Sequence, residues 1–266
     1  MGQSHADAFK RAALLYKLPM EPVLYMLAEQ NDVLAAEKAQ KFGFVHSTGD
    51  CGFFNDPHLP YSWRCEKKLA GTGALGDLGA HTISIAQYLA GSLQSVCTQG
   101  QTFFPERMVA AHDAGYGSKV DLNNPVWKKV ENEDQVQSLV KFVSGAGGVI
   151  EASRITAGKV FGCSWEINGT EGTIILDGER FNELKVFSQK HPKKERGFKT
   201  IYAGSQVAQY NAFFGFDFAG GGLGYFDVKV IEVHDLIAGI ASGKGCYRTL
   251  NSDTRTSVRF MRWNSL

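Results

Sequence analysis

An aspartate and a histidine stand four residues apart behind a cluster of glycines in GTGALGDLGAH, residues 71 to 81. On a helix, positions i and i+4 share a face, so Asp77 and His81 would lie side by side. A carboxylate next to an imidazole orients the ring, raises its pKa and prepares it to move a proton near neutral pH. General acid and base work is the chemistry this pair supports, and an ion pair on a solvated helix face is the alternative that the same spacing allows. Glycines ahead of the pair would let a ligand approach the start of the helix.

The stretch ALGDLGAHTISIAQYLAG carries Leu75, Ile83, Ala86, Tyr88 and Leu89 at helical spacing, which predicts a helix from Asp77 to Ala90 that stops at Gly91. Beyond it the period changes to two. QVQSLVKFV and GVIEASRI flank the turn SGAGG as a hairpin, FGCSWEING alternates large and small side chains, and TIILDGE, ELKVF and FKTIY follow without helices between them. These strands predict an α+β fold: a large, mainly antiparallel open sheet with helices on one face, one of them FDVKVIEVHDLIAGI. The helices are too few to cover both faces, so the sheet is expected to self-associate into a homo-oligomer.

The first fifty residues read differently. A helix ends near Pro19 and Pro22, PVLYMLAE reads as a buried strand closing on Glu29, DVLAAEKAQKFG reads as a second helix, and FVHST reads as a short third element. Helix, strand with a terminal acid, helix and strand are the rhythm of a dinucleotide-binding unit, although an ordinary helix-strand-helix reads the same way. The first strand and the leading glycines of that unit would lie ahead of Met1.

Composition sets limits on the rest. The 266 residues are 44% hydrophobic, enough to bury a sizeable core, and 28 basic against 27 acidic groups leave a formal charge of +1. No global field draws in nucleic acid or an anionic membrane, and no apolar run is long enough to span one. The basic stretch SQKHPKKERGFK reads as a solvated loop, and FAGGGLGYF as a loop feeding a helix rather than a phosphate cradle. Five cysteines, odd in number and without a C-x-x-C pair, argue against a disulfide framework or a metal site and for a reducing cytoplasm.

The stretch WRCEKKLAGTGALGDLGAH resembles the signature of the Gfo/Idh/MocA family of NAD(P)-dependent oxidoreductases, and the resemblance runs from Phe53 to about Ile240 through VIEASR, GTEGTI and DGERFNEL. It implies an enzyme acting on a sugar, inositol or related polyol. Asp77 and His81 would be catalytic, and Trp63, Arg64 and Arg154 would line the substrate pocket. The opening MGQSHADAFKR resembles the same family entered midway through its nucleotide fingerprint, which assigns Gly2, His5 and Glu29 to NAD or NADP. Residues 1–50 are then a partial dinucleotide-binding remnant, 51–240 the substrate and oligomerisation domain, and 241–266 a divergent tail. Lys67 in CEKKLA imitates the family's Glu-Lys-Pro lysine, but Lys68 replaces the proline and the segment lies in the wrong place. The resemblance therefore implies a polyol oxidoreductase with an incomplete cofactor half, or a remnant of one that only binds carbohydrate or self-assembles.

Overall fold

The computed structural model describes residues 42–110, 118–205, 211–214 and 221–242. The expected first helix, the strand ending at Glu29, the second helix and the divergent tail lie outside them, as do Gly2, His5 and Glu29.

Eight strands form one sheet: β1 (Phe42–Asp50), β2 (Leu93–Gln101), β5 (Gln135–Phe142), β6 (Gly147–Ser153), β7 (Gly162–Gly169), β8 (Gly172–Asp177), β9 (Glu183–Ser188) and β10 (Lys199–Tyr202). Two short strands, β3 (Glu106–Met108) and β4 (Trp127–Lys129), pair as a separate ribbon. The order across the sheet is β10-β9-β8-β7-β1-β6-β5-β2. Every neighbouring pair is antiparallel except β1 with β6. The alternating runs behave as their period predicts, because β5 hides Val136, Ser138, Val140 and Phe142 and exposes the residues between them.

The element read as FVHST is β1, and it does not belong to a separate unit. It lies at the centre of the sheet, held by β6 on one side and β7 on the other. A short apolar run bounded by glycine suits any buried strand, so its sequence does not say which sheet it joins.

The helix expected from Asp77 starts in a wider form. Leu75–Gly79 is a π-helical turn that runs into the α-helix Ala80–Ala90. A one-turn helix, α1 (Lys67–Ala70), precedes it, which makes Ala80–Ala90 α2 and the long Tyr225–Ser242 helix α3. Among the described residues no helix is long and apolar enough to cross a membrane.

Side chains of α2 lie on β1, β6 and β7, and the core beneath joins Ile83, Ile85, Ala86 and Leu89 to Val45, Ile150, Trp165 and Ile167. The Trp165 indole donates to the carbonyl of Thr82 at 3.3 Å. Gly49 on β1 sets how near the helix comes, since a Cβ there would stand 2.9 Å from Thr82 Cγ2 and 3.2 Å from the Leu78 carbonyl oxygen. The opposite face of the sheet carries a row read straight from the register: Cys97, Leu139, Val149, His46, Glu166, Ile175 and Lys185.

Asp50 ends β1 on that opposite face. Burial pushes its carboxyl above the ordinary 3.8, Glu151 adds to the rise, and Lys159 and His46 oppose it. A carboxyl whose folded value is raised destabilises the fold while it is ionised, and the penalty fades as pH falls through the raised value toward 3.8. Asp50→Asn should therefore stabilise the protein at neutral pH, with the gain shrinking on acidification. Urea unfolding of both proteins across this range checks the sign.

Candidate functional site

Trp63, Arg64 and Cys65 form a single tight 3-10 turn. Trp63 leaves its ring 52% exposed, and the Arg64 guanidinium carbon sits 4.6 Å from the centre of that ring. Arg64 Nε donates to Asp77 Oδ2 at 3.3 Å. Three of the residues singled out in the sequence are thus joined: an aromatic face, a guanidinium and a carboxylate. His81 lies exposed in the first turn of α2, directly after the π-turn that carries Asp77. Asp77 therefore has Arg64 as a partner that its spacing from His81 did not suggest.

The Arg64–Asp77 pair is partly exposed, at 27% and 36% of the two side chains. Such a pair contributes on the order of 0 to 1 kcal/mol to folding. Its value lies in geometry. A planar guanidinium set over an indole and held to a carboxylate places hydrogen-bond donors and an acceptor beside an apolar ring.

The glycine cluster does something other than receive a ligand. Glu133 Oε1 accepts from the amides of Gly73 at 2.8 Å and Leu75 at 3.0 Å, and the main-chain oxygen of Glu133 accepts from Ala74 at 3.0 Å. A Cβ on Gly73 would stand 1.9 Å from that oxygen. The amides at the start of the helix are already satisfied by a carboxylate and a carbonyl, so this turn has no phosphate cradle to offer.

Arg154, expected from resemblance to line the substrate pocket, is buried. Its side chain is 1% exposed, and Nε donates to Asp134 Oδ1 at 2.9 Å. The second oxygen of Asp134 accepts from the amides of Phe103 and Phe104 at 2.8 and 3.0 Å. Arg154 Nη1 reaches the Arg64 carbonyl at 3.4 Å, beside a 2.9 Å bond to the same oxygen from Asn132 Nδ2. Arg154 thus lies behind the Trp63-Arg64 turn and holds its backbone. A second buried arginine, Arg107, ties down the approach to that turn by donating to the carbonyls of Phe54, Asp56 and Leu59. Both guanidiniums lie over the Phe54 ring, at 4.4 and 4.1 Å from its centre.

Residues 131–134 and Arg107 escaped the sequence reading. For Asp134 a signal was present: in the hairpin Gln135 pairs with Ser153, so residue 134 falls opposite 154 and an acid meets a base just beyond the last rung. Asn132, Glu133 and Arg107 carry no comparable signal. Among the described residues no group of three or more His, Cys, Asp or Glu side chains could hold a metal ion.

The chain is similar to known proteins. Residues 39–175 match the GFO/IDH/MocA C-terminal domain. A levoglucosan dehydrogenase from Pseudarthrobacter phenanthrenivorans is 36% identical over 188 residues, which cover 71% of this chain and 48% of that protein. The scyllo-inositol 2-dehydrogenase (NAD(+)) of Bacillus subtilis is 30% identical over 119 residues, 44% of this chain and 29% of that one. This chain thus spans at most about half the length of the two curated relatives. Among solved structures, an NAD binding oxidoreductase from Klebsiella pneumoniae is 39% identical with a TM-score of 0.72, covering 96% of this chain and 92% of that one. The apo form of levoglucosan dehydrogenase superposes with a TM-score of 0.74 at 28% identity, covering 95% of this chain and 59% of that one.

The buried pair yields a direct test of what holds the site. Removing one partner leaves an uncompensated charge, which costs roughly 3 to 5 kcal/mol. Arg154→Met and Asp134→Ala should each destabilise by that order in chemical denaturation. Arg64→Met, which breaks the half-exposed pair, should change stability by less than about 1 kcal/mol.

Proposed function

We propose a function from one premise: the chain belongs to the GFO/IDH/MocA family, whose C-terminal domain matches residues 39–175. Its site recognises a sugar, inositol or related polyol, and its reaction class is the NAD-dependent oxidation of a secondary alcohol. The observation that carries this reading is the Arg64 bridge from the Trp63 ring to Asp77, one turn ahead of an exposed His81. The names of the relatives support it, since they are dehydrogenases of levoglucosan and of scyllo-inositol.

In this reading the apolar face of the sugar ring rests on Trp63, and Arg64 donates to its hydroxyls while Asp77 accepts from one. His81 takes the proton from the hydroxyl whose carbon becomes a carbonyl, and Asp77 orients the groups around it. The nicotinamide, when bound, supplies the hydride acceptor. The glycine turn ahead of α2 is filled by Glu133 and does not hold its pyrophosphate. In the same reading Gly2, His5 and Glu29 would hold NAD or NADP, in a cofactor half that is incomplete.

The exposed sheet face is proposed as a self-association surface, supported by Leu139 at 65% and Phe44 at 41% exposure. A cytoplasmic setting belongs to the same reading, since Cys51, Cys65, Cys97 and Cys163 are free thiols.

Three measurements test these statements. In calorimetry, levoglucosan or an inositol should bind without cofactor, and Trp63→Ala should weaken that binding about tenfold, the loss of one stacked ring. Binding unchanged by Trp63→Ala, or none of either sugar, overturns the site. NAD reduction should stay near background, and ordinary turnover that His81→Ala abolishes would overturn the incomplete cofactor half. In light scattering at tens of micromolar the protein should be a dimer or larger, with Leu139→Lys shifting it toward monomer; a wild-type monomer refutes the surface.

A further inference from the structure

Four consecutive residues, 131–134, contact both segments that carry the Arg64–Asp77 pair. The Glu131 amide donates to the Cys65 carbonyl at 2.9 Å, and Glu131 Oε2 accepts from the Lys67 amide at 2.9 Å. Asn132 Nδ2 donates to the Arg64 carbonyl, and Asp134 holds Arg154 against the same carbonyl. Glu133 stands between them and takes three successive amides, those of Gly73, Ala74 and Leu75. The Asp77 amide in turn donates to the Gly73 carbonyl at 3.1 Å. The backbone of Arg64 therefore depends on residue 132 and that of Asp77 on residue 133. Adjacent Cα atoms are about 3.8 Å apart across a trans peptide, a spacing that does not stretch.

We propose that Glu133 is a positioning residue for the polyol site, fixing through the Gly73 and Leu75 amides the π-turn that presents Asp77 to Arg64. The inference rests on the reading of Trp63, Arg64, Asp77 and His81 as that site. Three geometric facts separate positioning from general support. Both amides go to one oxygen, so the side chain acts at a single point. The turn it holds is π-helical, a form that adds a residue to the winding and is uncommon without a specific anchor. Gly73 lies so close to the Glu133 backbone that no side chain fits between them, so the anchor cannot be replaced by a looser contact.

What matters is a hydrogen-bond acceptor at the right reach, and not a negative charge. Glu133→Gln keeps an acceptor oxygen at the same distance and loses the charge. Glu133→Asp keeps the charge and withdraws the oxygen by one methylene, a change mild enough to preserve folding if Glu133→Ala does not. Three readouts are taken on the purified full chain: amide hydrogen exchange at Gly73 and Leu75, the fluorine NMR signal of 5-fluorotryptophan at position 63, assigned with Trp63→Phe, and the affinity for levoglucosan.

The Gln variant should match the wild type in all three. The Asp variant should exchange the two amides at least tenfold faster, shift the Trp63 signal as Arg64 leaves the ring, and bind levoglucosan at least tenfold more weakly, with its melting temperature within a few degrees of wild type. A Gln variant that behaves like Asp makes charge the operative property and overturns the proposal. An Asp variant with wild-type exchange and an unmoved Trp63 signal also overturns it. Should levoglucosan fail to bind the wild type, the polyol reading falls, while the exchange and fluorine measurements still decide whether Glu133 positions the pair.

Discussion

The ion pair between Asp134 and Arg154 is the constraint around which the site is organised. Both side chains are removed from water, at 0% and 1% exposure, and burying a carboxylate and a guanidinium is tolerable only when nearly all their hydrogen-bonding capacity is met inside. Asp134 meets this demand with Arg154 on one oxygen and two backbone amides on the other. Arg154 meets part of it with the Arg64 carbonyl, and so the requirement of a buried charge fixes a stretch of surface backbone. The turn that displays Trp63 to solvent is held from beneath by a group that needs its carbonyl.

Arg107 extends the same logic. Burial is the main influence pushing its guanidinium below the ordinary value, and Arg154 nearby acts in the same direction while Asp134 opposes both. Three backbone carbonyls of the 54–59 segment accept from its two terminal nitrogens, and the Phe54 ring lies against both cations. One electron-rich ring serves both charges. The segment leading into Trp63 is therefore shaped by two buried arginines that hold its backbone.

The elements with strong period were legible, and those fixed by long-range pairing were not. QVQSLVKF alternates so regularly that its inward face follows from the sequence, and α3 was readable from FDVKVIEVHDLIAGI. The three-residue strands β3 and β4 have too few positions to display a period. Asp77 and Arg64 were identified as site residues without the bond between them, because thirteen positions separate them and only a folded turn brings them together. ENED, residues 131–134, drew no reading from the sequence, since nothing in four polar letters says that two of them are buried.

The glycines show most clearly why pattern and purpose can part. A glycine-rich turn ahead of a helix admits close approach of some other group, and sequence alone does not say which. Here the approaching group is the protein's own chain, Glu133 against Gly73, and on β1 the α2 helix against Gly49. The missing side chains are used for internal contact, and they bring the helix down onto the sheet and the acidic strap up to the turn. A carboxylate already occupying the helix amides also disfavours a second anion at that place by like-charge repulsion. Around that turn Trp63 and His81 are exposed and Arg64 and Asp77 partly so, and the surface that the glycines help to shape carries an aromatic ring, an imidazole and an ion pair.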